Sequence, residues 1–344
     1  MSYENYLINN KGNAQAQLET YKQQLSGTKI TSQNYGLLQS DIASYEEDIK
    51  NYDVALSDYE KGSYQKSYQT VVKIVYKDKN ISSDPKSGAP ADLIAAINHD
   101  YLMYQALAKR GIPYQDAEFP SSGTNYTLWV LQYLVPYVLV AGLIFILSPL
   151  FTGLFSDRLN RDLVLAGSKF YLILIPLAVG FLTSLLIFVG LISFSFIAAS
   201  LLFGIGNWNY PIASNDITTH ALFFQNIANL YLPSIFLEIA TLIVIVQLVY
   251  LISYIVRDRV ASLFISLFFI FGLSLVTPVV GGLQQIAQYL PTTYIMGVLV
   301  SDGQLSAKFN NSAVNTNFGV LVLLISIIVL LGSQFFLSIK IKRY

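Results

Sequence analysis

The reading of this chain turns on Asn229-Leu-Tyr-Leu-Pro-Ser-Ile-Phe-Leu-Glu-Ile-Ala-Thr-Leu-Ile-Val-Ile-Val-Gln-Leu-Val-Tyr-Leu-Ile-Ser-Tyr-Ile255, in which Glu238 is the one charged residue. A surface helix of a soluble protein keeps one polar face, and this stretch has none. About 20 apolar residues suffice to carry a helix across a hydrocarbon core of about 30 Å.

Outward from it, four more stretches meet the same criterion: 127–152, 171–203, 260–283 and 317–338. Lipid offers no partner to a bare N–H or C=O, so each is expected as a helix. The second is longer than one crossing needs, and Gly180 and Gly190 give it places to bend or tilt. Composition agrees. Only 12% of residues are charged and mean hydropathy is +0.49, against about 25% charged in soluble domains. The expected fold is an α-helical integral membrane protein: five transmembrane helices over 126–344, preceded by a mostly helical extracytoplasmic domain over 1–125.

Orientation follows from the basic residues. Arg158, Arg161 and Lys169 lie between the first two spans, Arg257 and Arg259 between the third and fourth, and Lys340, Lys342 and Arg343 after the fifth. The opposite loops, 204–228 and 284–316, hold Lys308 alone. The C-terminus is therefore expected in the cytoplasm of a multi-pass cell-membrane protein and, five being odd, residues 1–125 outside. The first 30 residues contain no apolar signal segment. A preceding transmembrane helix upstream of Met1 is the expected means of translocation, lost from this chain by truncation, a misplaced start or a split gene.

Residues 1–125 carry 12 basic and 15 acidic side chains, a net of −3, and neither half of the chain is basic enough to suggest nucleic acid. Leu38, Ile42, Tyr45, Ile49, Tyr52, Leu56 and Tyr59 repeat at 4-3 spacing, a heptad seam on a helix. Leu18, Tyr21 and Leu25 form a shorter seam, and a turn over Gly27–Asn34 would join the two as a hairpin. A partner-binding coiled coil competes with self-packing of that hairpin, and three heptads favour self-packing. Gln69–Tyr76, rich in β-branched residues, predicts a strand. Residues 91–109 predict an amphipathic helix buried through Leu93, Ile97, Tyr101, Tyr104 and Leu107, with His99 at its surface beside Asp100.

Catalytic signatures are missing. There is no phosphate-binding Gly-x-x-x-x-Gly-Lys-Ser/Thr, no Gly-x-Ser-x-Gly and no His-Glu-x-x-His. Without cysteine, and with His99 and His220 as the only histidines, no metal site is expected. Gly204-Ile-Gly206 reads as a turn. An integral-membrane transferase would need a polar catalytic cluster; Asp216 with His220 is the nearest pair, at a spacing that suits a local hydrogen bond. Glu238 and Gln247 are the candidate translocation-path residues, with a structural role, protonated or bonded to a neighbouring helix, as the competing reading.

The loop Phe155-Ser-Asp-Arg-Leu-Asn-Arg-Asp-Leu-Val-Leu-Ala-Gly-Ser-Lys169 reads as a short amphipathic helix capped by Ser156. Asp157, Arg158, Arg161 and Asp162 would form its charged face, and Leu159, Leu163 and Leu165 its apolar one. A loop helix ending in Lys169, an ectodomain followed by five spans, and Tyr289-Leu-Pro-Thr-Thr-Tyr294 after the fourth span resemble the ABC-2 type transporter permeases. The resemblance implies a permease subunit of an ATP-binding-cassette exporter that binds no cofactor itself. ATP would sit on a separate ABC ATPase subunit docked at the loop residues Asp157, Arg158, Arg161, Asp162 and Lys169. It further implies a second permease copy or homologue, and an extracytoplasmic re-entrant segment at Pro291 and Tyr294. The substrate class would be hydrophobic, peptide or lipid-linked. The competing expectation is a surface receptor or scaffold with a coiled-coil ectodomain, similar to phage-infection proteins. The tyrosine- and lysine-rich, cysteine-free composition suits a Gram-positive bacterium.

Overall fold

The computed structural model describes residues 2–28, 33–84, 88–155 and 169–340. The chain divides into two compact units.

The first comprises Met1–Ser121 with two short returns, Asn207–Ala213 and Phe223–Asn226. Its helices are α1 (Tyr3–Gly27), α2 (Gln33–Glu60), α3 (Tyr64–Ser82) and α4 (Ala91–Arg110). Ser2 caps α1 by accepting from the Asn5 amide, and Gly111 ends α4 in the left-handed conformation. The heptad side of α2 faces α1 within the chain. Tyr52 is buried and the other seam residues are half-buried, Tyr21 and Tyr45 stack at 5.4 Å, and Lys22 pairs with Glu46 at 3.1 Å.

The expected strand over Gln69–Tyr76 is instead part of α3. Its buried residues, Tyr68, Val71, Ile74 and Val75, recur at helical spacing. β-Branching lowers helix propensity by tenths of a kcal/mol, which the burial of one continuous face outweighs. In α4, Tyr104 and Leu107 are buried as expected, but Leu93 is 49% exposed because the first turn projects beyond the packed part of the unit.

Tyrosines form this core. Tyr3 packs against Tyr59, Tyr68, Tyr104 and Tyr114 with ring centroids 4.7 to 5.9 Å apart. Burial is tolerated because the hydroxyls find partners: Tyr68 donates to the Ile112 carbonyl at 3.0 Å, and Tyr3 shares a bond with Ser67. Desolvation pushes Tyr6 up to about 12 and raises Tyr3, Tyr68 and Tyr104 as well, so these phenols stay neutral. The returning segments are held by Arg110, which donates to Asn226 Oδ1 at 2.8 Å, and by Tyr210, which donates to the Gln115 carbonyl at 3.0 Å.

The second unit holds five helices long and apolar enough to cross a membrane: α5 (Gly123–Phe155), α6 (Lys169–Phe203, with its apolar part from Ile173), α7 (Ala228–Val256), α8 (Arg259–Val276) and α12 (Thr316–Lys340). Thus the expected α-helical membrane fold with five spans is found among the described residues. Span four ends at Val276 rather than 283, because Pro278 supplies no amide to continue it. In α5, Val130–Leu139 takes the wider π form around Pro136. A two-stranded sheet, β1 (Pro211–Asn215) and β2 (Leu222–Asn226), follows α6.

The α7 helix is the hub. Of its most apolar window 61% is buried, against 17% for α6 and α12, so α7 is surrounded by protein while the others leave wide faces for lipid. Serines draw α5, α7 and α8 together: Ser148 donates to Ser262 at 3.1 Å, and Ser262 meets Ser253 at 2.8 Å. On α12, the Gln334 amide donates to the Gln247 carbonyl of α7 at 3.0 Å.

Candidate functional site

Between the fourth and fifth spans the chain breaks into α9 (Gly281–Ile286), 3-10 turns at Ala287–Tyr289 and Pro291–Ile295, α10 (Gly297–Ser301) and α11 (Gln304–Phe309). Short pieces arise because the sequence interrupts itself: Pro291 starts one turn, and Gly303 and Asn310 take positive φ. Its first ten residues are largely exposed, yet from Pro291 onward the segment is well buried. Tyr294 is completely enclosed among Leu237, Met296, Val300, Leu305 and Leu323, and its hydroxyl donates to the Gln288 carbonyl at 2.7 Å. Asn311 ties the two sides together, donating to the Gln284 carbonyl and to Gln288 Oε1 at 3.1 and 2.7 Å.

This segment seats against the face of α7 that carries Ser234 and Glu238, one turn apart. A Cβ placed on Gly297 would lie 2.8 Å from the Ser234 carbonyl oxygen, 2.9 Å from Glu238 Cγ and 3.2 Å from Glu238 Oε1. Only a residue without a side chain permits that approach. Glu238 is 2% exposed, and neither of its carboxylate oxygens, nor the Ser234 hydroxyl, has a hydrogen-bond partner among the described residues. A carboxyl at this depth without a partner is costly in its charged form. It is the one acidic side chain within the five spans.

Gln247 is not part of the same cluster. Nine residues at 1.5 Å rise place it about 13 Å along the axis and half a turn round from Glu238. Its contribution to helix pairing is its backbone carbonyl, which accepts from Gln334, and its own Oε1 has no partner among the described residues. Sequence reasoning missed Gln334, although it is the one side-chain amide in that apolar stretch after Asn317 at its start. Also missed were Ser234 and Gly297, whose meeting depends on how the short helices fold back.

Asp302 is a further burial that sequence reasoning did not reach. Its carboxylate accepts from the Gln304 amide at 2.9 Å, its carbonyl accepts from the Asn215 amide at 2.7 Å, and it is 2% exposed. Asp216 and His220 form only a turn: Asp216 Oδ1 accepts from the Thr218 and Thr219 amides at 3.0 and 2.7 Å, and the His220 amide donates to the Asp216 carbonyl at 2.8 Å. Those bonds, chiefly from Thr219, hold the Asp216 carboxyl below its usual range. His99 bonds to its neighbour Asp100 at 3.2 Å. Gly204 and Gly206 form the expected turn with positive φ, the Gly204 and Ile205 carbonyls accepting from the first amides of α5.

Asp157, Arg158, Arg161 and Asp162 lie outside the described residues, and Lys169 is the first residue of α6. No group of three or more His, Cys, Asp or Glu is arranged to hold a metal among the described residues. The unit therefore offers a packed helical bundle with two buried carboxyls, Glu238 within a span and Asp302 among the broken helices beside it.

Comparison with known proteins agrees with this picture. No curated protein and no solved structure gives a significant match to the chain. A protein-family model described as "ABC-2 family transporter protein" matches residues 5–333, spanning both units. The chain belongs to the ABC-2 transporter family, whose members are the membrane permeases of ABC-type transporters.

Proposed function

We propose that this permease is the membrane subunit of an exporter, with residues 1–125 outside the cell and the C-terminus in the cytoplasm. The observation that supports it best is the placing of charge at the span ends: eight basic residues on one side of the five helices and Lys308 alone on the other. ABC-2 permeases generally work with an ABC ATPase. The cytoplasmic loop holding Asp157, Arg158, Arg161 and Asp162 is the natural dock for it, since paired arginines recognise acidic groups through charge-assisted, bidentate bonds. A second copy or homologue completes the pathway. Closure of the ATPases then tilts α5 and α6, which flank the loop, and α7 transmits the movement to the other spans because it touches all of them. The energy comes from ATP on the partner, so no catalytic side chain of this chain takes part. The substrate is a hydrophobic, peptide or lipid-linked molecule, moved past the α7 face that carries Glu238.

The test is charge reversal at the loop. Arg158→Glu with Arg161→Glu is expected to abolish transport-coupled ATP hydrolysis in reconstituted vesicles while leaving membrane insertion intact. Full coupling in the double variant would remove the loop from the ATPase interface.

A further inference from the structure

The helical unit carries an excess of acid, and its acidic residues pair with lysines in several places: Lys11 with Asp53, Lys22 with Glu46 and Lys77 with Asp48. Three other lysines are placed differently. Lys66 and Lys73 on α3 and Lys109 on α4 line one open groove of about 590 Å³. None of the three has an ion-pair partner among the described residues, and Asp58 is the one acidic residue on the wall. So the groove concentrates unpaired positive charge in a unit that is negative overall.

Its geometry can be stated. A Cβ on Gly111, just past α4, would lie 3.9 Å from Gln65 Cβ at the start of α3, so Lys109 and Lys66 stand at the same end. Lys73 follows two turns along the same face of α3, about 10 Å away. Between them the floor is carbon, from the half-buried Val72 and the buried Ala108. The volume falls within the range of about 300–1,000 Å³ typical of small-molecule sites. All the cations are lysines. An ammonium group acts as a point charge without the geometric demands of the arginine fork, and two of them side by side match the nearly double negative charge that a phosphoryl group concentrates on one centre.

We propose that this groove binds a small organic phosphate. Its phosphoryl group lies between Lys66 and Lys109, its carbon body rests on Val72 and Ala108, and Lys73 meets a second anionic group. The site is separate from the translocation face of α7 and does not depend on the exporter assignment.

Fructose 1,6-bisphosphate titrated into the full chain in phosphatidylcholine nanodiscs, followed by isothermal calorimetry, tests it without any transport assay. Saturable binding is expected. Lys66→Gln with Lys109→Gln is expected to weaken it about tenfold, the loss of two exposed charge pairs. Lys22→Gln with Lys50→Gln removes the same charge from exposed positions outside the groove and is expected to leave affinity within about twofold. Citrate is expected to bind more weakly than the bisphosphate. No saturable binding, an equal loss in the two double variants, or citrate binding as tightly as the bisphosphate would each overturn the proposal.

Discussion

Asp302 shows how a residue unremarkable in the sequence acquires consequences from its surroundings. In the fold, Gly303 at φ +77° lets Asn215 come so close that a Cβ there would lie 2.1 Å from its carbonyl oxygen, and Asp302 beside it is 2% exposed. Burial then pushes the carboxyl up to about 7, against the smaller opposing effect of the Gln304 amide. Because the folded value lies above the unfolded one, the folded protein holds the extra proton between about pH 4 and pH 7. Stability from this group is therefore full at the acid end, is lost as pH rises through that window, and is level above it. The ceiling is on the order of 4 kcal/mol, three pH units at about 1.4 kcal/mol each. Thermal unfolding of wild type from about pH 4 to pH 8 is expected to show this slope, and Asp302→Asn to flatten it. Parallel curves would mean that Asp302 titrates normally. Glu238 was legible as the lone charge of its stretch, but Ser234 and Gly297 beside it were not: their meeting is a long-range contact that no local pattern encodes.

Legibility is better for whole elements, and it fails for a definable reason. The five apolar helices were readable because a hydrocarbon core demands length and apolarity together, and few other structures supply both. The helical hairpin was readable from 4-3 spacing. Residue type misled at Gln69–Tyr76: β-branching suggested a strand, while the positions of Tyr68, Val71, Ile74 and Val75 matched a helix face. Periodicity outranked propensity because the tyrosine core rewards one continuous buried stripe. Tyr68 is the residue on which that stripe depends, since it is fully buried and touches Tyr3, Tyr59 and Tyr104. Tyr68→Phe keeps the ring and loses the bond to Ile112, and is expected to cost about 1–2 kcal/mol. Tyr68→Ala also empties the core and is expected to cost about 3–5 kcal/mol. Denaturant unfolding followed by near-ultraviolet circular dichroism separates the two. Equal losses would mean that the hydroxyl, not the packing, holds α3 in place.

For the whole molecule, the proposed orientation rests on one physical asymmetry. Basic side chains are retained on the side where the membrane is assembled, and eight of the nine at the span ends and their loops lie together. If that bias sets the orientation, the tyrosine-cored unit and its lysine groove face the exterior, where a ligand or a released substrate would meet them, and the loop at 156–168 faces the nucleotide supply. Reversing the chain would put the groove in the cytoplasm and leave the arginine loop outside with no ATPase to contact. The absence of cysteine makes the question direct, since any introduced thiol is the only one present. Leu37 on α2 is 60% exposed and suits the outer probe, and Lys342 near the C-terminus suits the inner one. Leu37→Cys is expected to react with a membrane-impermeant maleimide in intact cells. Lys342→Cys is expected to react only after the membrane is opened, with expression of both variants equal by immunoblot. Labelling of Lys342→Cys but not Leu37→Cys in intact cells would invert the molecule. It would end the exporter reading while leaving the five helices, the packing around α7 and the groove chemistry as they stand.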